Sequence, residues 1–416
     1  MIGEILLYIA IFFGLYTSIY FLFTLFESGN KVYYGESENY PVVTICIPCF
    51  NEEKTVQKTL ASLIRLDYHK DNLEIIVVDD GSSDKTYKRA MQFAKRHPQH
   101  DIKIFQKENG GKHTALNLAI EKSRGEFFGA LDADSFVDKL ALRRIMKFFE
   151  DETVTAVTPS MKIYKPKGFL QRIQSIEYLI GIFLRKVFAE LGSINVTPGP
   201  FSIYRKSFFE KHGTYVSAHN TEDIEMALRI QRHHGVIENS SNAFVYTVGP
   251  SNFTTLYKQR IRWYYGFLKN IFDYKDLFGR RHGNLGMFIL PSSLFSVFLL
   301  ISIVFYQLIL LSDRWFQQYL SFRAIGWDFS QVQWFNFDLF FMNTNATIIL
   351  GLFSLLFAIG ILYIAKEISE ERSPILLSYI FFVAGYWILY AYWWIASIIR
   401  VIRGKKVSWG HKSENE

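Results

Sequence analysis

Four separated groups of residues have the types and spacing for chemistry on a phosphorylated substrate. They are Asp79-Asp80-Gly81-Ser82, Asp132-Ala133-Asp134, Thr221-Glu222-Asp223 and Gln259-Arg260-Ile261-Arg262-Trp263. Three acidic groups and one paired-arginine group suit a reaction that holds a metal-bound diphosphate, deprotonates an alcohol and stabilises a leaving phosphate. Asp132 and Asp134 form a D-x-D. Mg2+ and Mn2+ prefer oxygen ligands and are commonly held by one or two carboxylates plus substrate phosphates. The spacing lets one aspartate face a nucleotide while the other ligates the ion, whereas the bland reading is two solvated loop aspartates.

Asp79 and Asp80 read either as a turn leading into a capped helix or as carboxylates that recognise a nucleobase and ribose. Gly110-Gly111-Lys112 enters a helical pattern, where exposed N–H groups and a cation suit a diphosphate. Neither G-x-x-x-x-G-K-[ST] nor G-x-G-x-x-G spacing is present there, so ATPase and dinucleotide chemistry lose support. Thr221-Glu222-Asp223 opens a helical pattern, and an N-cap with acidic first-turn residues would explain it structurally. In a sugar transfer that inverts the anomeric centre, one carboxylate must take the acceptor hydroxyl's proton. Asp223 is the candidate base, with Glu222 beside it. Arg260 and Arg262 suit leaving phosphates, because a guanidinium makes bidentate contacts to phosphate. Trp263 offers a face for a sugar ring. An interfacial helix whose arginines meet lipid headgroups accounts for the same residues.

The elements that must position these groups are legible in outline. Val42–Pro48, Glu74–Val78, Ile102–Gln106 and Phe127–Leu131 read as strands, alternating with helices over Glu53–Leu66, from near Asp84, and over Lys112–Ser123. Such alternation predicts an α/β domain with a parallel sheet and right-handed crossovers. Ligands bind beyond the carboxyl ends of such strands, where Asp79, Asp80, Asp132 and Asp134 fall. Gly168–Leu191 and a segment from near Thr255 read as amphipathic helices, suited to core packing or to lying on headgroups.

Composition places this domain at a bilayer. The chain has 416 residues, 50% of them hydrophobic and 17% aromatic, and the apolar excess lies before Glu27 and after Gly286. Ile5–Phe26 is long enough to cross the hydrocarbon layer. With Glu4 before it and Lys31 after it, this run reads as an uncleaved anchor with its N-terminus outside. Met287–Leu311, Ala346–Ala365 and Ile375–Ile399 are further runs. The aromatic stretch between the first two, with Trp315, Trp327 and Trp334, suits an interfacial belt. The basic tail Arg400–Lys412 should stay cytosolic, which three full crossings would not allow. Re-entry of the last run, with a break near Gly385, removes that conflict. The net charge of +7 is scattered and fits anionic headgroups better than nucleic acid. Cys46 and Cys49 lie three apart on a strand, pointing to opposite faces. They read as buried small hydrophobes in a reducing compartment.

Taken in order, Pro48-Cys49-Phe50-Asn51-Glu52-Glu53, Val78-Asp79-Asp80-Gly81-Ser82, Gly111-Lys112 with Ala115-Leu116-Asn117, the D-x-D, T-E-D and Q-R-x-R-W resemble the membrane-embedded processive glycosyltransferases of family 2. That group includes poly-N-acetylglucosamine, hyaluronan, chitin and cellulose synthases. The resemblance implies a Rossmann-like GT-A domain on the cytosolic side of a multi-pass plasma-membrane protein. By number, the expected units are an anchor over 1–30, the transferase over 38–250, an interfacial helix over 251–285, membrane or re-entrant helices over 286–403 and a tail over 404–416. Asp79, Asp80, Lys112, Arg260 and Arg262 would bind the nucleotide, and Asp134 with Asp132 would hold Mg2+ or Mn2+. Asp223 and Glu222 would be catalytic. Gln259, Trp263 and the segment Gly199, Pro200 and Phe201 would meet the acceptor. Trp409, in Val407-Ser408-Trp409-Gly410, is similar to the tryptophan gate of hyaluronan synthases. The implied partners are a UDP-sugar, the growing polysaccharide and the bilayer, with an accessory subunit as a candidate.

Two departures leave the substrate open. A single N-terminal span stands where relatives often have more. T-E-D matches poly-N-acetylglucosamine and cellulose synthases, while the tail looks like hyaluronan synthase. The expected function is an inverting, processive β-glycosyltransferase that polymerises and exports a UDP-sugar, with UDP-N-acetylglucosamine favoured. The alternatives are a hyaluronan-type heteropolymer synthase, a single transfer to a lipid acceptor, or a transporter or scaffold whose transferase domain has lost activity.

Overall fold

The computed structural model describes residues 2–27, 35–325 and 346–405. A first helix, α1 (Ile2–Glu27), precedes the α/β domain. The domain's first half runs β1 (Val43–Cys49), α2 (Val56–Leu63), β2 (Leu73–Asp80), α3 (Thr86–Arg96), β3 (Asp101–Lys107), α4 (Lys112–Lys122) and β4 (Phe127–Ala130). Its second half runs β5 (Phe136–Val137), α5 (Ala141–Met146), β6 (Val154–Ile163), α6 (Phe169–Glu190), β7 (Ile203–Arg205), α7 (Lys206–His212), α8 (Glu222–Arg232) and β8 (Val236–Thr247). Helix α9 (Phe253–Asp273) then leads to α10 (Leu290–Ile325), α11 (Ala346–Ile368), α12 (Leu376–Phe381) and α13 (Trp387–Ile402).

Among the described residues, eight strands form one sheet in the order β3-β2-β1-β4-β7-β6-β8-β5. Strands β3, β2, β1 and β4 are parallel, as the βα alternation predicts. The other half, beyond the four strands that the alternation covers, is mixed. Three-residue β7 inserts between β4 and β6, antiparallel to both, and β5 pairs antiparallel with β8. These strands carry weak signals. β6 holds Pro159 at a register shift against β8, where a proline is tolerated, and β8 carries Glu-Asn-Ser-Ser-Asn in its middle.

Two apolar layers sandwich the sheet. One joins Ile45, Ile47 and Val77 to α2 and α5. The other joins Ile76, Val78 and Phe128 to α4 and α8. Cys49 belongs to the first layer and Cys46 to the second, both free thiols. Strand alternation accounts for their opposite directions. Helix α6 packs on β6 and β8 and carries α11 and α12 on its other side, while α9 packs along α13.

Among the described residues, four helices are long and apolar enough to cross a membrane: Gly3–Glu27, Leu285–Ala324, Ala346–Ile368 and Leu376–Ile402. Their outer faces expose Phe12, Phe23, Phe305 and Leu356, which suits hydrocarbon contact. Two expectations need correction. Trp315 is not in a connecting stretch, because α10 continues through it to Ile325; Trp327 and Trp334 lie outside the described residues. The final run does not break at Gly385. A π-helical turn, Phe382–Tyr386, carries α12 directly into α13, so the chain keeps its direction and re-entry by a break there is ruled out. No proline interrupts this run, and a π-bulge absorbs a local mismatch within a continuing helix.

Candidate active site

A cavity of about 810 Å³ lies against the carboxyl end of β4. Glu52, Lys112, Asp132, Asp134, Gly199, Pro200, Glu222, Asp223, Gln259, Arg262 and Trp263 all line it. Residues far apart in sequence meet because β1, β4, α4 and α8 bring their ends to one edge of the sheet.

Lys112 opens α4, and its Nζ donates to Asp132 Oδ1 at 2.8 Å and to Glu222 Oε1 at 2.9 Å. Burial alone would lower the lysine's pKa, but Asp132 and Glu222 override it and hold the ammonium charged. Burial would likewise raise Glu222, yet Lys112 by charge and hydrogen bond, with Arg262, keeps it low. Gly199 packs close by, since a Cβ there would stand 3.1 Å from Lys112 Nζ.

Asp134 has less compensation. Burial pushes its carboxyl up to about 7, helped by the charges of Asp132 and Glu52 and opposed by Ser135 and Lys112. Among the described residues no group of three or more His, Cys, Asp or Glu side chains is placed to hold a metal alone. Two neighbouring carboxylates, of which Asp132 has the Lys112 ammonium and Asp134 no direct ion pair among the described residues, still fit a divalent cation that completes its shell with phosphate oxygens and water.

Asp223, in the first turn of α8, is pushed up to about 6 by burial and then by Glu222, against the pull of Lys112 and Arg262. Its Oδ1 accepts from the Ile224 N–H at 3.0 Å, and its carbonyl accepts from the Thr197 hydroxyl at 2.9 Å. Thr221 does not cap α8 with its side chain. The turn before it is instead held in an uncommon conformation: Ala218, His219 and Asn220 have φ of 41°, 55° and 64°. Consecutive non-glycine residues at positive φ are costly and persist only where surrounding contacts impose them.

Those contacts come chiefly from α9. Arg262 Nη1 donates to the Asn220 carbonyl at 2.9 Å, and Asn270 Nδ2 donates to Thr221 Oγ1 at 2.9 Å. His219 pairs with Asp273 at 2.8 Å. Gly266 lets the two segments touch, since a Cβ there would stand 2.1 Å from Thr221 Oγ1. The helix bearing the arginines therefore braces the candidate base. Asn270 and Gly266 were invisible to motif reading, because an Asn or Gly in an amphipathic helix carries no chemical signal of its own.

Several expected site residues lie elsewhere. Arg260 is fully buried and does not itself line the cavity, standing behind the lining residues Glu177, Gln259 and Trp263. Its Nη2 donates to Glu177 Oε2 at 2.5 Å, its Nη1 to Gln259 Oε1 at 2.6 Å, and its guanidinium lies 4.3 Å from the Trp263 ring centroid. Tyr386 and Tyr390 of the last long helix also donate to Glu177, so Arg260 ties α9 to α6 and to that helix. Phe201 is a core residue with φ of 67° and no exposure, because its N–H donates to Ala130 and turns the ring inward.

Asp79 and Asp80 are buried within β2 and do not line the cavity. Asp80 accepts from Lys107 Nζ at 2.6 Å and from the N–H groups of Gly110 and Gly111 at 3.0 and 2.9 Å, fixing the glycine loop. Asp79 accepts from Gln106 Nε2 at 3.0 Å, while its Oδ1 is buried with no hydrogen-bond partner. Trp409 lies outside the described residues. The cavity also takes in Ser293 of α10 and Trp394 of α13, the latter stacked on Tyr264 at 4.3 Å. It therefore extends to the long apolar helices.

Residues 44–213 match the model of glycosyl transferase family 2. The chain is 33% identical over 274 residues to poly-beta-1,6-N-acetyl-D-glucosamine synthase of Staphylococcus epidermidis, covering 64% of this chain and 65% of the relative. It is 31% identical over 271 residues to the synthase of that name from Staphylococcus aureus strain COL, covering 63% and 65%. The chain thus spans about 65% of the length of the curated relatives it matches. In fold it is similar to a mannosyltransferase from Pyrobaculum calidifontis in complex with GDP-Man and Mn2+. That match has a TM-score of 0.63 and 17% identity, over 97% of this chain and 99% of the other.

Proposed function

We propose that the chain is an inverting, metal-dependent β-hexosyltransferase that uses UDP-N-acetylglucosamine, extends a polysaccharide and moves it across the membrane, with its catalytic domain in the cytosol. The observation that carries this reading is Asp223, a carboxyl raised to about 6 in the same cavity as the D-x-D, Lys112 and Trp263. A base near neutrality is suited to taking a hydroxyl proton as bonds change. In the proposed step the acceptor oxygen attacks the anomeric carbon, its proton passes to Asp223, and the bond to the diphosphate breaks with the electron pair leaving on phosphate. Lys112 and Arg262 supply fixed positive charge for that departure. Asp134 and Asp132 would hold a divalent ion, which when bound neutralises diphosphate charge. The unpartnered oxygen of Asp79 supports a role toward the nucleoside.

The relatives' printed name supports N-acetylglucosamine as the sugar. Ser293 and Trp394 support an acceptor path toward the apolar helices, and they equally favour a second reading, single transfer to a lipid. The test is reconstitution of the full chain in lipid with Mg2+ or Mn2+ and a panel of UDP-sugars. UDP release with a long product supports polymerisation, a singly glycosylated lipid supports the second reading, and no release with any donor removes both.

A further inference from the structure

One cation in the cavity has no work in the scheme above. Arg185 stands on α6 and lines the cavity. Its guanidinium folds back toward the preceding turn, as long side chains on helices do, and Nη1 lies 3.5 Å from where a Cβ at Gly181 would stand. Its Nε and Nη2 are shielded from solvent and have no hydrogen-bond partner. Burial lowers the group to about 10, and only Tyr178 opposes this, with no carboxylate contributing. Arg185 is thus electrostatically apart from Asp132, Asp134, Glu222 and Asp223.

Leaving a guanidinium buried without an acceptor is costly, and a planar fork of donors is best satisfied by a two-oxygen anion. The diphosphate already has Lys112 and Arg262 beside the acidic cluster. Apolar Val196, Ile224, Phe267 and Trp394 line the same cavity, and Trp394 and Ser293 come from helices long enough to span a bilayer.

We propose that Arg185 binds the phosphate of a lipid-borne acceptor that enters the cavity from the side of the apolar helices. This rests on the transferase reading, but not on polymerisation.

The test uses the full chain in a neutral maltoside detergent, with binding followed by titration calorimetry. Dodecyl phosphate should bind at least about tenfold more tightly than uncharged dodecyl β-glucoside, the scale of a charged hydrogen bond. Arg185→Gln should abolish that preference while leaving UDP affinity unchanged, and Arg185→Lys should keep part of it. The wild-type comparison needs no variant, so a poorly folding Arg185→Gln does not disable the test. Equal binding of the two amphiphiles overturns the proposal. So does a preference that survives in Arg185→Gln, or a parallel loss of UDP affinity, which would assign the guanidinium to the donor. Inorganic phosphate binding as tightly as dodecyl phosphate overturns the lipid source. If the preference holds while wild-type protein transfers sugar from no donor, the anion subsite stands and the transferase reading falls.

Discussion

Two buried networks of charge lie within the same fold, and they are built on opposite principles. Around Arg260, one guanidinium meets one carboxylate, Glu177, and two tyrosine hydroxyls share that carboxylate. The charges cancel. Around Lys112, the carboxylates of Glu52, Asp132, Asp134, Glu222 and Asp223 outnumber the cations Lys112 and Arg262, and Asp134 and Asp223 are pushed up by burial first and then by these acidic neighbours. A balanced network joins helices, whereas an unbalanced one is completed by what binds to it. The difference also separates two arginines of one motif: Arg260 belongs to the first network and Arg262 to the second.

The largest expected effect is on the unbalanced side. Asp223→Asn should lower transfer by about 10²- to 10⁴-fold, the scale of a lost general base, while UDP binding persists; single-turnover and binding assays check both. On the balanced side, Glu177→Gln leaves Arg260 buried and unpaired, which should cost about 3–5 kcal/mol of stability. Denaturant unfolding in detergent would show it, and the double change Glu177→Leu with Arg260→Met should recover most of the loss.

Gly266→Ala links the two regions. The new Cβ would collide with Thr221, at about 1–3 kcal/mol for overpacking, and displace the turn that sets Asp223. It should lower kcat more than it changes the donor KM. The smallest effect is pH. In the proposed step Asp223 accepts a proton and must be ionised, and burial pushes its carboxyl up to about 6, so kcat should be level above that value. It should fall about tenfold per unit below it, and a profile flat to pH 4.5 would remove Asp223 from the step.

The parallel half of the sheet was legible because β1 to β4 are short apolar runs between helical patterns. The mixed half was not, since β7 has three residues and β6 and β8 carry proline, serine and asparagine where a period-two pattern would need apolar side chains. The motifs carrying Asp132, Asp134, Glu222 and Asp223 meet in one cavity, because strand ends determine where loops converge. That Arg260 and Phe201 fall outside the cavity lining depends on a helix phase and a positive φ that no motif specifies. Glu177, the partner of Arg260, was present as one of two acids in an amphipathic helix, yet nothing in sequence said which cation it would meet.

The most direct test sets the two networks side by side in one preparation, measuring initial UDP release from UDP-N-acetylglucosamine and the thermal midpoint for Asp223→Asn and Glu177→Gln. The unbalanced-site account predicts that Asp223→Asn abolishes release with an unchanged midpoint. It predicts that Glu177→Gln lowers the midpoint by several degrees while the folded fraction still turns over. Near-normal release by Asp223→Asn would contradict it.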